Sequence, residues 1–449
     1  MTPRSERARS FVAYAATDDG ATWGFRASMA FGFLLILRAG WHQWFVRDDW
    51  AVVITRMVTR DSLGWKQWLL SPQDGHWLTI PVLAFRAIQN TFGLDSYLPF
   101  LALVVATHVG TVLLVRVICR RCGVTPWTTT LICAVLLVFG AGWENIIFAI
   151  QISYNLSLLA FLAQVLLSDH EGGVDRRDFL GAAIAVLGVM SSGFAPIFVT
   201  GIALFLGLRR RWRALAVAVV PQGLVYAWWY VAWESGSTTS VPPGPKSLIP
   251  SFVVHGVGSA LHSMVAVPGL GGVALIAVIA VVLWTGPGWR TQSTLLALSG
   301  TAVVMLSAIG VARIGLGVES ATASRYQYMT AMLLAPALAL AIDQLVKVAR
   351  QAQWAGRIVI AASIVVNAGI LLNSGNDLSR RAQQQRDTFE LVAGSGLMDQ
   401  TLPTQAPDLF SPDVTVQWLP WLVDQHAIRP RVPANQAEID RVRQAIGLP

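Results

Sequence analysis

The chain is built around apolar runs long enough to cross a bilayer, near residues 25–45, 97–116, 127–143, 150–167, 179–192, 194–208, 214–233, 269–285, 293–312, 326–346 and 356–373. In hydrocarbon every backbone N–H and C=O must be paired inside the segment itself, so a run of about 20 such residues can only be a spanning helix. Apolar residues make up 54% of the chain and charged residues 13%, against about 25% charged in an ordinary soluble protein. With a mean hydropathy of +0.54, a soluble globule, a disordered chain, a collagen-like fibre and a disulfide scaffold are all excluded. The pattern predicts an all-α, polytopic transmembrane helical bundle of about 11 spans. Two short runs, 179–192 and 194–208, meet at Ser191-Ser192-Gly193, where a tight hairpin is expected.

The net charge of +8 would suggest nucleic acid in a soluble protein, but its placement argues otherwise. Arg120-Arg121, Arg176-Arg177, Arg209-Arg210-Arg211 with Arg213, Arg290, and Lys347 with Arg350 and Arg357 occupy alternate connections. With Arg4, Arg7 and Arg9 they fall on one side if odd spans run outward, and the positive-inside rule makes that side cytoplasmic. The excess charge is therefore topogenic. The expected organisation is a cytoplasmic polar tail (1–22), a transmembrane domain (23–373) with an outer loop (46–96), and a small extracytoplasmic tail (374–449). The first run lacks a small-x-small cleavage site and reads as an uncleaved anchor in the plasma or inner membrane. Cys119-x-x-Cys122 and Cys133 offer no second ligand pair and read as small residues near helix ends.

The first outer loop carries the most chemistry. Asp48 and Asp49 stand between Trp44 and Trp50 at a membrane boundary. Trp belongs at that interface, whereas carboxylates near hydrocarbon are expensive. Adjacent residues point in different directions, so one can face a cleft while the other caps the next helix. Two amphipathic interfacial helices should follow, joined by a turn at Ser71-Pro72-Gln73-Asp74-Gly75-His76, with His76 either presented to the cleft or bonded within the turn. Further polar groups at the same face are Glu144-Asn145 with Gln151, and Arg313, Glu319 and Arg325 with Tyr326 and Tyr328. An arginine at a span entrance suits bidentate phosphate binding or interfacial snorkelling. His255 and His262, seven apart on an amphipathic outer segment, lack a third metal ligand. No Walker A, GxSxG, HExxH or DxD sequence occurs, and the ionisable groups lie at the boundary rather than the midplane where coupled transporters place them.

This layout resembles the GT-C superfamily of integral-membrane glycosyltransferases. The resemblance rests on the spans, on the acidic residue after the first span, and on Arg47-Asp48-Asp49-Trp50, Asp74-Gly75-His76-Trp77, Trp143-Glu144-Asn145 and Ser324-Arg325-Tyr326-Gln327-Tyr328, which are similar to stretches of actinobacterial membrane proteins of this type. It covers about residues 25–345. It implies transfer of a sugar from a polyprenyl-phosphate donor to an extracytoplasmic glycan or lipid acceptor of the cell envelope, with inversion. The compact C-terminal tail departs from relatives that carry a large outer domain, so acceptor recognition is the least transferable inheritance.

Inverting transfer needs a carboxylate to accept the acceptor's proton and positive charge to stabilise the departing phosphate. The candidates are Asp48 or Asp49 as base, with Asp48 favoured because Asp49 suits a cap. Arg325, with Arg313, would hold the phosphate, while Glu144, Asn145, Gln151, His76, Glu319, Tyr326 and Tyr328 would surround the substrates. A divalent cation assisted by Glu144 and His76 is compatible with this set. The competing readings are a lipid or polysaccharide transporter or flippase without catalysis, and an envelope-assembly scaffold.

Overall fold

The computed structural model describes residues 17–234, 241–284, 286, 288–348 and 352–449; Arg4, Arg7, Arg9 and Arg350 lie outside them. Among the described residues the regular elements are all helices, with no strand, and eight helices are long and apolar enough to cross a membrane. Three shorter apolar helices, Pro126–Leu137, Pro196–Leu208 and Leu270–Leu283, accompany them. Large apolar side chains such as Leu34, Leu224, Ile276 and Val365 are exposed on these helices, as expected where the solvent is lipid.

The first helix, α1 (Asp18–Gly40), starts within the expected polar tail because Thr17 caps it, its Oγ1 accepting the Gly20 N–H. The loop after α1 folds into α2 (Arg56–Leu63), α3 (Trp65–Leu70) and α4 (Thr79–Phe92), and α5 (Leu98–Arg121) re-enters the membrane. Next come α6 (Pro126–Leu137), α7 (Ile152–Ser168), α8 (Arg176–Val189), α9 (Ala195–Leu208) and α10 (Trp212–Trp229). Then follow α11 (Ile249–Val265), α12 (Leu270–Leu283), α13 (Trp289–Arg313), α14 (Ser324–Val348) and α15 (Ala352–Gly394), with α16 (Leu419–Asp424) and α17 (Gln436–Ala445) in the C-terminal unit. The span of α14 is the most buried of the eight and forms the centre of the bundle.

Two differences from the expected spans have physical causes. Residues 234–268, expected as an outer loop, contain α11, because His255, His262 and Pro250 hide a run that is otherwise apolar. Gly244, just before α11, abuts Gly315 at the end of α13, whereas Trp289, just after α12, donates its indole N–H to the Leu208 carbonyl at the opposite end. Helices α11 and α12 thus carry the chain across together, and the parity of the later spans is unchanged. Between α6 and α7 the backbone breaks into short turns, Gly140–Gly142, Glu144–Ile147 and Ala149–Gln151. Irregular backbone at such depth persists only where protein encloses it. A Cβ on Gly140 would lie 2.5 Å from the Asn367 carbonyl oxygen, and one on Gly142 2.9 Å from Tyr328.

The basic connections gather at one end. Asp169 accepts ion pairs from Arg209 (2.5 Å), Arg121 (3.0 Å) and Arg290 (3.1 Å), while Asp178 pairs with Arg211 and His170. The acidic loop lies at the other end. The C-terminal unit is held to α15 there by Arg431, which bridges Asp387 and Glu438.

Candidate active site

Asp48 reaches its position through a strained turn. Arg47 has φ 48° and ψ −126°, a region that L-residues avoid, at a cost of roughly 1–3 kcal/mol. The Asp49 N–H closes the turn on the Val46 carbonyl at 3.1 Å. The turn is held from outside: the Arg47 N–H donates to Ser411 Oγ (2.6 Å), whose hydroxyl donates to Gln385 Oε1 (2.8 Å). The Arg47 and Arg381 guanidinium groups lie 5.8 and 4.8 Å from the Phe410 ring centre. Thr55 donates to Asp413 at 2.7 Å. The C-terminal unit thus clasps the first loop beside the acidic pair.

The two aspartates part company at this turn. Asp49 is fully buried: it accepts the Val46 N–H (3.4 Å) and Tyr97 O–H (3.1 Å) on one oxygen and the Ile150 N–H (3.1 Å) on the other. Burial pushes its carboxyl up to about 8 despite those three donors. Asp48 instead faces an open cleft. Protein crowding around it still raises its carboxyl above the ordinary range, with Arg47 opposing the shift and Asp74 adding to it.

The cleft encloses about 130 Å³ and is lined by Arg47, Asp48, Gln73, Asp74, His76, Gln151, Ser153, Tyr154, Arg313 and Arg325, with Val52, Leu78 and Ile150 as its apolar part. Asp74-Gly75 forms the turn its sequence predicts. Both residues have positive φ (49° and 77°), and Gln73 and His76 exchange backbone hydrogen bonds of 3.0 and 2.8 Å, the two-residue geometry that Asp-Gly favours. Buried Arg56 anchors this turn, donating to Ser71 O (2.6 Å), Trp68 O (3.3 Å) and Gln73 Oε1 (3.3 Å), and burial lowers its pKa to about 10. The following Trp77 stacks on Trp229 at 5.2 Å and 3°.

Glu144 lies behind the cleft between two cations, 3.8 Å from Arg47 and 3.7 Å from Arg325. Its backbone N–H donates to Ser324 Oγ, so the broken segment and the start of α14 are joined. Two buried polar atoms of cleft-lining residues have no hydrogen-bond partner in the protein: Gln151 Oε1 and Arg325 Nε. Buried groups left open in this way are rare, and two on the wall of one cleft favour a polar ligand there. Among the described residues Arg313 forms no ion pair, so its charge is available to the cleft.

Not every sequence candidate converges. Glu319 sits on the turn Val318–Thr322 and points outward, its carboxylate accepting from His255 at 3.0 Å. Asn145 is buried against Asn155, and Tyr328 meets His108 at 3.0 Å inside the bundle. Tyr326 is buried beside Arg325, which lies 5.2 Å from its ring centre. His262 packs under Gly271 rather than pairing with His255 in a metal site. Among the described residues the one cluster of three metal-type ligands is His170, Asp175 and Asp178 at the arginine-rich end. The Arg211 guanidinium already sits 3.2 Å from both His170 and Asp178.

No protein-family model matches the sequence, and no curated protein does. Among solved structures, the chain is similar to the crystal structure of ArnT from Cupriavidus metallidurans bound to undecaprenyl phosphate. The TM-score is 0.53 over 94% of this chain and 88% of that one, at 13% identity. The chain has a GT-C fold. The match to this GT-C structure runs beyond residues 25–345, for at 94% coverage it cannot leave out the whole C-terminal unit. Sequence reasoning passed over Tyr154 and the Phe410–Asp413 clasp, and read Gly193 only as part of a hairpin. Tyr154 had a signal, since it follows Gln151 by three residues and shares its helical face. The clasp had none, because its partners are more than 350 residues away.

Proposed function

We propose that the cleft is the active site of an inverting glycosyltransferase that moves a sugar from a polyprenyl-phosphate donor to a hydroxyl of a cell-envelope acceptor. The arginine-rich end would then face the cytoplasm. The observation that carries this reading is the convergence of Asp48 with Arg313 and Arg325 on one cleft that also holds unpartnered buried polar atoms. The similar GT-C structure holds undecaprenyl phosphate, a ligand of the required class. In the reaction, Asp48 takes the acceptor's hydroxyl proton as that oxygen bonds to the anomeric carbon. The bond from that carbon to the phosphate oxygen breaks, and the phosphate leaves with the electron pair beside Arg325 and Arg313. A raised carboxyl pKa makes Asp48 a better base. Asp49, sealed from the cleft by its three donors, acts as a structural tie.

Purified Asp48→Asn is expected to lose transfer activity by roughly 10²–10⁴-fold while inserting and folding normally. Asp49→Asn is expected to retain most activity. Full activity in the Asp48→Asn/Asp49→Asn double variant would overturn the assignment. Activity of the wild type should fall as pH drops through a pKa above the ordinary carboxylate value, because the base must be ionised.

A further inference from the structure

His76 is the cleft side chain whose protonation state the backbone dictates. The Gly193 N–H, in the hairpin between α8 and α9, donates to His76 Nδ1 at 2.9 Å. A backbone amide can only donate, so Nδ1 must present a lone pair and the single ring proton must sit on Nε2. Nε2 lies 3.5 Å from the Tyr154 hydroxyl, the outer limit of a hydrogen bond, and both side chains line the cleft. Its proton is thus available to a ligand.

The fit at Gly193 is close. A Cβ there would lie 2.4 Å from Nδ1 and 3.2 Å from the Gly75 carbonyl oxygen, so glycine alone lets the backbone approach the ring. An imidazolium would set a ring N–H against the Gly193 N–H. A metal ion on Nε2 would force the ring proton to Nδ1, with the same collision. The charged groups facing the ring act in both directions: Asp74 on its own turn favours protonation, while Arg325 on α14 and Arg313 on α13 oppose it. Burial dominates and holds the imidazole down to about 4.

We propose that His76 is a neutral, tautomer-locked donor that gives its Nε2–H to a phosphate oxygen of the bound ligand, with Gly193 as its positioning residue. The ligand class rests on the reading of the cleft as a polyprenyl-phosphate site, whereas the tautomer does not. The two cations beside the ring make an anionic oxygen the favoured acceptor. His76 is then neither the general base nor a metal ligand.

The test has two arms. In nanodiscs, ¹⁵N NMR of histidine-labelled protein, with His76 assigned by His76→Gln, should show one protonated and one bare ring nitrogen, unchanged between about pH 5.5 and 8. An imidazolium signal in that range, or a proton on Nδ1, would overturn the lock. In the second arm, binding of undecaprenyl phosphate is measured against undecaprenol. His76→Ala should weaken the phosphate ligand about tenfold. His76→Gln, which keeps an N–H near the Nε2 position, should stay within about threefold. Equal loss for both lipids, or no loss in His76→Ala, would overturn the donor role. No binding of either lipid by the wild type would instead overturn the reading of the cleft, and with it the phosphate as acceptor, while the NMR arm still decides the tautomer.

Discussion

The two adjacent aspartates show how far a single residue's chemistry depends on its wall. Asp48 and Asp49 share a peptide bond, yet one opens to the cleft and the other is buried under Val46, Tyr97 and Ile150. The pH dependence of stability should distinguish Asp49. Its pKa rises from 3.8 to about 8 on folding, so the folded chain holds the proton more tightly than the unfolded chain. That stabilisation is fully present below about pH 4 and is lost as pH rises through about 8. The Tm in detergent should therefore decline across that window in the wild type, and this part of the slope should be missing in Asp49→Asn. Identical slopes in the two proteins would show that Asp49 is not held protonated by the fold.

Among the elements, the loop after α1 and the C-terminal unit work as one body. The Asp74-Gly75 turn was legible in sequence because two positive-φ residues in a two-residue turn demand that dipeptide chemistry. Gly75→Ala should cost about 1 kcal/mol and displace His76, seen as a lower Tm together with weaker substrate binding. Which aspartate faces the cleft was not legible from local pattern alone, because the Arg47 turn takes its conformation from Ser411 and Phe410, distant in sequence. Ser411→Ala removes the acceptor for the Arg47 N–H, worth about 1 kcal/mol. The turn should relax toward an allowed conformation and kcat should fall, with little change in Tm because Phe410 and Asp413 still hold the unit. An unchanged kcat would mean that the clasp does not position Asp48. Glu319 misled for the converse reason: near Arg313 and Arg325 in sequence, it is turned outward by the helical turn Val318–Thr322 and spent on His255.

At the scale of the whole molecule, the bundle separates a basic end built for anchoring from an opposite end built around a cleft. Alternation of arginines along the sequence revealed that polarity, and three of those arginines meet on Asp169. Burial alone would raise this carboxyl, but the hydrogen bond from Arg209, with help from Arg121 and Arg290, leaves it below its ordinary value. Asp169→Ala leaves buried Arg209 without its carboxylate, whereas half-exposed Arg121 and Arg290 can turn to solvent. It should destabilise the bundle by roughly 3 kcal/mol, measurable as a lower Tm with substrate affinity unchanged in the surviving folded fraction. The spans were legible from length and hydropathy wherever the run was uninterrupted. They were not legible where polar residues punctuate an otherwise apolar helix, as in α11, or where the backbone breaks, as at Gly140–Gln151. The central claim is that this cleft performs chemistry on a polyprenyl-phosphate sugar. Its most direct test is to incubate purified protein in proteoliposomes with a polyprenyl-phosphate sugar radiolabelled in the sugar and an envelope-derived acceptor. Label should leave the lipid for the acceptor, or for water when no acceptor is supplied, and Asp48→Asn should abolish that release. Label that crosses the bilayer still attached to its lipid, equally in wild type and Asp48→Asn, would contradict the account and identify a translocator.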